Sequence, residues 1–283
     1  MIWVDGRVVA DSALSVSVLD RSFEHGLGLF ETLRTWGGRP LLLDRHLNRL
    51  RRSADELGIP LNDSTLPDAE AIAQLLEAGE VEGDVLLRMT LSGGLSATTG
   101  STLWVRSTPL PPPLSVNERG ATLDLDSWRI DKTDPLLGHK SLNYWRRRIA
   151  QETARARGFD ECVGMDQDLR FWEGSRTNLF AVLDGEILTP TLAGPIVPGI
   201  MRGLMIELAS SLPLPVKEVN GLELEQIQAA SELFLTNSVR GLIPVFQARG
   251  WSWEQPGPVV TELNRLWTEW RMEEEHRPNA NGG

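Results

Sequence analysis

Lysine is scarce in this chain: there are 25 arginines but only three lysines, Lys132, Lys140 and Lys217. One of them stands in GHKSLNYW, residues 138–145. Arginine keeps its proton inside a protein, whereas a desolvated lysine can lose it, and a free amine attacks a carbonyl carbon. Lys140 therefore reads either as a Schiff-base lysine or as a surface lysine flanking a helix. Scarcity alone does not choose, because the other two lysines are equally rare.

Three further stretches offer matching chemistry. In DLRFWEGSRTNLFAV, Glu173 stands between an aromatic strand and a turn. It reads as a solvated turn residue, or as an acid aimed at a cationic ring nitrogen, which a pyridine-type cofactor requires. In PIVPGIMRGLMIELA, Pro198 and Gly199 open an apolar helix whose free N–H groups and dipole favour a phosphate. In LTNSVRGLIPV, Ser238 follows a strand and reads as a phosphate contact or a plain turn residue.

The elements that must position these residues form two mixed α/β domains with a cleft between them. IWVDGRVV reads as a hairpin with an Asp-Gly turn, and LFETLRTWGGRPLLL as another turning at Gly37-Gly38. Leu43, Leu47, Leu50, Ala54 and Leu57 recur at helical spacing, with Asp44 as the expected N-cap. On spacing alone, Arg49 reads as a solvated neighbour of Arg45, Arg51 and Arg52. A helix is expected near 67–79, and strands near 84–92 and 102–108. The expected division is a small N-terminal domain over 1–108, a proline-rich linker over 109–117, a larger C-terminal domain over 118–272 that carries Lys140, and a disordered tail over 273–283. In the larger domain a strand is expected near 120–129, a helix near 143–157, and strands from 160 to 189. Helices near 199 and 223–229, strands near 231–247 and a closing amphipathic helix complete it.

Taken together, the four stretches are far more specific than any one of them. They resemble the fold-type IV pyridoxal-phosphate enzymes, which include branched-chain aminotransferases, D-amino-acid transaminases and 4-amino-4-deoxychorismate lyases. The resemblance runs from about residue 2 to 247 and includes DRSFEHGLGLFETLR, DRHLNRLRRSA, HKSLNYW, EGSRTNLF, PGIMRG and TNSVRGLIPV. It implies pyridoxal 5'-phosphate in the interdomain cleft of a homodimer. It also implies that Lys140 is the Schiff-base lysine and proton shuttle, and Glu173 the acid at the pyridine nitrogen. Arg49 matches the phosphate-binding arginine, Ile200 and Met201 offer backbone N–H groups to the phosphate, and Ser238 offers its hydroxyl. Thr32 matches a polar residue of the cofactor pocket and is taken with Lys140 as catalytic.

Within the family, Thr-Asn-Ser at 236–238 and GIMR after Gly199 look more like the lyases than the branched-chain aminotransferases. Gly93 stands where D-amino-acid transaminases carry an arginine, which argues against that activity. The expectation is a lyase that makes 4-aminobenzoate, a folate precursor, and pyruvate from 4-amino-4-deoxychorismate; an aminotransferase is the alternative. Arg88 and then Arg240 are the candidates for gripping substrate carboxylates. Arg88 alternates with Leu87 and Met89 and so faces water or a cleft. Tyr144 and Trp145 read as either a wall of the site or core.

The bulk numbers do not exclude a small anionic substrate, because a local arginine pocket can sit on an acidic protein. Net charge is −11, with no lysine-rich tract, so neither nucleic acid nor an anionic membrane is expected as a partner. No apolar run approaches the roughly 20 residues that span a bilayer, and a cytoplasmic location is expected. Cys162 is the single cysteine, reads as a buried thiol, and excludes an internal disulfide. The four histidines have no metal-ligand spacing, so no metal site is expected.

Overall fold

The structure, a computed structural model, describes residues 1–111, 120–254 and 256–276. Most of the expected linker, from 112 on, and residues 277–283 of the expected tail lie outside the described residues. Two units emerge: Met1–Pro111 with His139–Tyr144, and the described residues within Pro112–Gly138 and Trp145–Gly283.

In the first unit the elements run β1 (Ile2–Val4), β2 (Arg7–Val9), α1 (Arg21–His25), β3 (Gly28–Trp36), β4 (Arg39–Pro40), α2 (Leu43–Glu56), α3 (Ala69–Ala78), β5 (Val85–Ser92) and β6 (Leu103–Pro109). The strands make one six-stranded sheet in the order β2-β1-β6-β5-β3-β4. Alternation puts Leu29 and Leu33 of β3, Leu87, Met89 and Leu91 of β5, and Leu103 and Val105 of β6 on one face. They pack in one core with Leu43, Leu47 and Leu50 of α2 and Ile72 and Leu75 of α3. Each fully buried leucine contributes about 1.5–3 kcal/mol.

The α2 N-cap is Leu42 in the left-handed region (φ 56°), not the expected Asp44, which lies in the first turn. There its charge still complements the helix dipole. The segment carrying Lys140 lies along β3: Phe30 N–H donates to Lys140 O and Leu142 N–H to Gly28 O, both at 2.8 Å. Only glycine fits at position 28, because a Cβ would lie 2.6 Å from Leu142 Cδ1 and 2.8 Å from Leu91 O.

The second unit contains β7 (Ala121–Asp124), α4 (Trp145–Ala156), β8 (Glu161–Met165), β9 (Phe171–Gly174), β10 (Asn178–Leu183), β11 (Glu186–Pro190), α5 (Ile200–Ala209), β12 (Val216–Val219), α6 (Leu224–Ala229), β13 (Glu232–Asn237), β14 (Gly241–Ala248), β15 (Trp251–Ser252) and α7 (Pro258–His276). Its nine-stranded sheet follows β12-β11-β10-β13-β14-β7-β8-β9, with β15 on β14. The pairing of Asn178 with Glu173 returns β9 to β10 and closes a ring of six strands. Closure removes edges within that ring.

The strand expected over 120–129 ends at Asp124, whose buried carboxylate accepts from Asp126 N–H at 2.8 Å and turns the chain. The last helix runs through residues 273–276, which were expected to belong to the tail. Cys162 is buried, and burial pushes its thiol up to about 12. Among the described residues, no helix is long and apolar enough to cross a membrane.

Candidate active site

In the first unit, Phe30 is the centre about which the chemistry-bearing side chains gather. The Lys140 ammonium lies 4.5 Å from its ring centroid and the Arg88 guanidinium 3.9 Å, both in cation–π geometry. Tyr144 meets the same ring edge-on at 5.4 Å. Thr32 stands directly opposite Arg88 in the β3–β5 ladder and is half-buried. Arg88 thus lies on the sheet face away from the α2/α3 core, as its alternation with Leu87 and Met89 required.

On the core face of β3, one residue from Phe30, Glu31 is buried. Arg49 grips it with two bonds, Nε to Oε1 at 2.8 Å and Nη2 to Oε2 at 2.6 Å, and His46 Nδ1 lies 2.7 Å from Oε2. Burial pushes the Glu31 carboxyl up, but the Arg49 charge and its hydrogen bonds outweigh this and hold it well below the usual range. Burial lowers His46, Glu31 opposes that in part, and the Arg49 and Lys140 charges lower it further. Arg49 is only 8% exposed, so the reading of it as solvated is corrected. It shares the inner face of α2 with Leu43, His46, Leu47 and Leu50.

The second unit holds the other candidates. Glu173 on β9 is 2% exposed. Its Oε1 accepts from Arg147 of α4, and its Oε2 from Val197 N–H at 3.0 Å and from Asn178 Nδ2 at 3.5 Å. Ile200 and Met201 open α5 behind Gly199, and no side chain caps this end of the helix. A Cβ at Gly199 would lie 1.8 Å from Asn178 Oδ1, so glycine lets the helix end approach the Glu173 group. Asn178 pairs in turn with Thr236 of β13.

Ser238 lies in the turn after β13, where Asn237 Oδ1 accepts from Val239 N–H at 3.1 Å and Arg240 N–H at 2.8 Å. The Arg240 side chain is half-buried, and burial and then the Arg176 charge draw it below the usual guanidinium range. Trp145 is 73% exposed at the start of α4 and belongs to no core.

Five residues of these two clusters escaped the sequence reading: Phe30, Glu31, His46, Arg147 and Asn178. The helical spacing of His46 with Leu43 and Leu50 was a usable signal for one buried polar side chain and so for a buried partner. Nothing in the sequence pattern marks Arg147 among its neighbours Arg146 and Arg148.

The family model for Amino-transferase class IV matches residues 28–248. The aminodeoxychorismate lyase of Bacillus subtilis is 30% identical over 280 residues, covering 94% of this chain and 93% of that protein. A Methanocaldococcus jannaschii protein provisionally named branched-chain-amino-acid aminotransferase is 30% identical over 259 residues, covering 88% of each. The solved T.th. branched-chain amino acid aminotransferase, with pyridoxamine 5'-phosphate, superposes with a TM-score of 0.84 at 26% identity, covering 98% of this chain and 95% of that one.

Enzymes of this class use pyridoxal 5'-phosphate, and the residues present fit it. In the second unit, Thr236 Oγ1 is buried without a hydrogen-bond partner among the described residues. Such orphaned groups are rare unless a bound group or water satisfies them. The uncapped start of α5 suits a phosphate, and a buried carboxylate suits a ring nitrogen.

Proposed function

The chain belongs to the class IV aminotransferases, and from that premise we propose that it is a 4-amino-4-deoxychorismate lyase, which yields 4-aminobenzoate and pyruvate. The observation that carries this reading is the pair of cations on the Phe30 ring, Arg88 at 3.9 Å and Lys140 at 4.5 Å. A branched-chain amino acid would need an apolar pocket beside the reactive lysine, whereas an anionic ring substrate needs cations there.

Lys140 would bond the cofactor, Glu173 would face its ring nitrogen, and Arg49, Ser238 and the Ile200 and Met201 N–H groups would hold its phosphate. When bound, the cofactor supplies an electron sink that acidifies the C–H bond beside the substrate nitrogen. Lys140, freed as an amine, takes the C4 proton of the substrate. Thr32 and Arg88 hold the substrate on the Phe30 face, with Arg240 as the second candidate carboxylate contact. The C3–oxygen bond breaks, the ring becomes aromatic, and the departing enolpyruvate takes up a proton to become pyruvate. No second substrate is needed. Turnover of 4-amino-4-deoxychorismate without any oxo acid tests the reading, and its failure alongside glutamate-to-oxo-acid transfer rejects it.

An aminotransferase using the same residues is the second reading, favoured by the M. jannaschii relative at equal identity. In it Lys140 would hold and move the same proton, the cofactor would carry the amino group to an oxo acid, and the substrate would keep its side chain. A homodimer is part of the proposal. Its support is the run of exposed apolar residues Val18, Leu19, Phe23 and Leu27 in one short stretch of chain. Light scattering at the mass of one chain would reject it.

A further inference from the structure

Arg88 on β5 stands directly opposite Arg106 on β6. Antiparallel partners project to the same side, so both arginines share the face that carries Phe30, Thr32, Thr90 and Trp104. Neither β3, β5 nor β6 contributes a carboxylate to that face; the one acid among them, Glu31, points to the opposite side and is held by Arg49. Like charges placed directly across a ladder destabilise it. Among the described residues, neither the Arg88 nor the Arg106 side chain has a hydrogen bond or ion pair that would offset the repulsion. Burial first, and then the Arg106 charge, draw Arg88 below the usual guanidinium range, with the Tyr144 ring opposing. An exposed arginine could avoid a half-buried like charge by lying elsewhere, yet the sheet fixes these two at one register position.

We infer that Arg106 is a second carboxylate-binding residue, so that Arg88 and Arg106 together grip one small molecule carrying two carboxylates. The inference rests on the lyase reading, whose substrate has one carboxylate on the ring and one on the enolpyruvyl arm. Two guanidiniums side by side match two carboxylates by charge and by fork geometry. A monocarboxylate would leave one of them unmatched, so Arg106 sets specificity rather than reactivity.

The test is calorimetric titration of the holoenzyme with chorismate, which has both carboxylates and no amine to react, and with benzoate, which has one. Arg106→Gln is expected to weaken chorismate binding about ten-fold or more, the loss of a charge-assisted pair. Benzoate affinity should change less than about two-fold, the size of effect a missing non-contact produces. Arg106→Lys should recover part of the loss, and the Gln variant should melt no lower than the wild type because a repulsion is gone. Unchanged chorismate affinity in Arg106→Gln, or equal loss of both ligands, overturns the inference, as does a wild type that prefers benzoate. Neither ligand turns over. Arg106-dependent chorismate binding in a protein that makes no pyruvate would therefore reject the lyase reading and leave the two-carboxylate grip standing.

Discussion

Arg147 of α4 donates to Glu173 Oε1 while the Val197 N–H donates to Oε2 at 3.0 Å, so both carboxylate oxygens are bound from opposite elements. Arg147 also reaches the carbonyls of Leu137, Gly174 and Ser175 and lies 5.1 Å from the Trp128 ring. One guanidinium thus both supplies the charge that a buried carboxylate requires and ties three chain segments to it.

Arg147→Gln leaves that carboxylate buried without its cation. Breaking a buried pair by removing one partner costs about 3–5 kcal/mol, so thermal unfolding should come at clearly lower temperature. The absorbance band of the bound cofactor should shift as well. A variant that melts and absorbs like the wild type contradicts this role.

The Glu31–Arg49 pair is expected to behave as a unit. Arg49→Met alone strands Glu31 and should cost about 3–5 kcal/mol, while Glu31→Leu with Arg49→Met should cost much less in stability. Both variants should bind pyridoxal phosphate more weakly than the wild type. Denaturant melts of the single and double variants, with and without cofactor, separate the two effects.

The pH dependence follows from His46 and Glu31. Unfolded, this histidine takes a proton near pH 6.5; folded, burial above all lowers its pKa and it stays neutral there. The unfolded chain then binds more protons, so stability is lost as pH falls below 6.5 toward the folded value. Glu31, depressed by Arg49 against its burial, adds a further loss as pH falls below its unfolded value of 4.5. Between pH 6.5 and about 5 the wild type should lose melting temperature more steeply than His46→Gln. Parallel curves for the two proteins would remove His46 from the account.

Much of this was legible in the chain and some was not, for physical reasons. The α2 periodicity at Leu43, Leu47 and Leu50 carried the helix and its inner face. The same pattern placed Arg49 among surface arginines, because what buries it is Glu31, a residue in another element. Local propensity cannot report a partner brought in by the fold. Asp44 failed as an N-cap for a related reason: Leu42 enters the helix at φ 56°, a conformation that propensity rules assign to glycine or asparagine. Lys140 was singled out by the scarcity of lysine, but its attachment along β3 through Phe30 N–H is a long-range pairing that no window of sequence displays.

Gly199→Ala should damage the start of α5. The added Cβ would meet Asn178 Oδ1 at 1.8 Å, and either the helix end or Asn178 must move. Asn178 also bonds Val197 O at 3.0 Å, so a shift disturbs the segment that reaches Glu173. Cofactor affinity is expected to fall about ten-fold or more, the scale of a lost charge-assisted contact, with the fold retained by circular dichroism. Unaltered affinity would show that this helix end holds no phosphate.

The most direct measurement follows 4-amino-4-deoxychorismate with purified holoenzyme, no oxo acid present, counting pyruvate and 4-aminobenzoate per active site. The account predicts equal amounts of the two products over many turnovers, and none from Lys140→Ala, which should also retain no cofactor after borohydride reduction and denaturation. Absence of pyruvate and 4-aminobenzoate, together with amino transfer from glutamate to an added oxo acid, would contradict it and identify an aminotransferase.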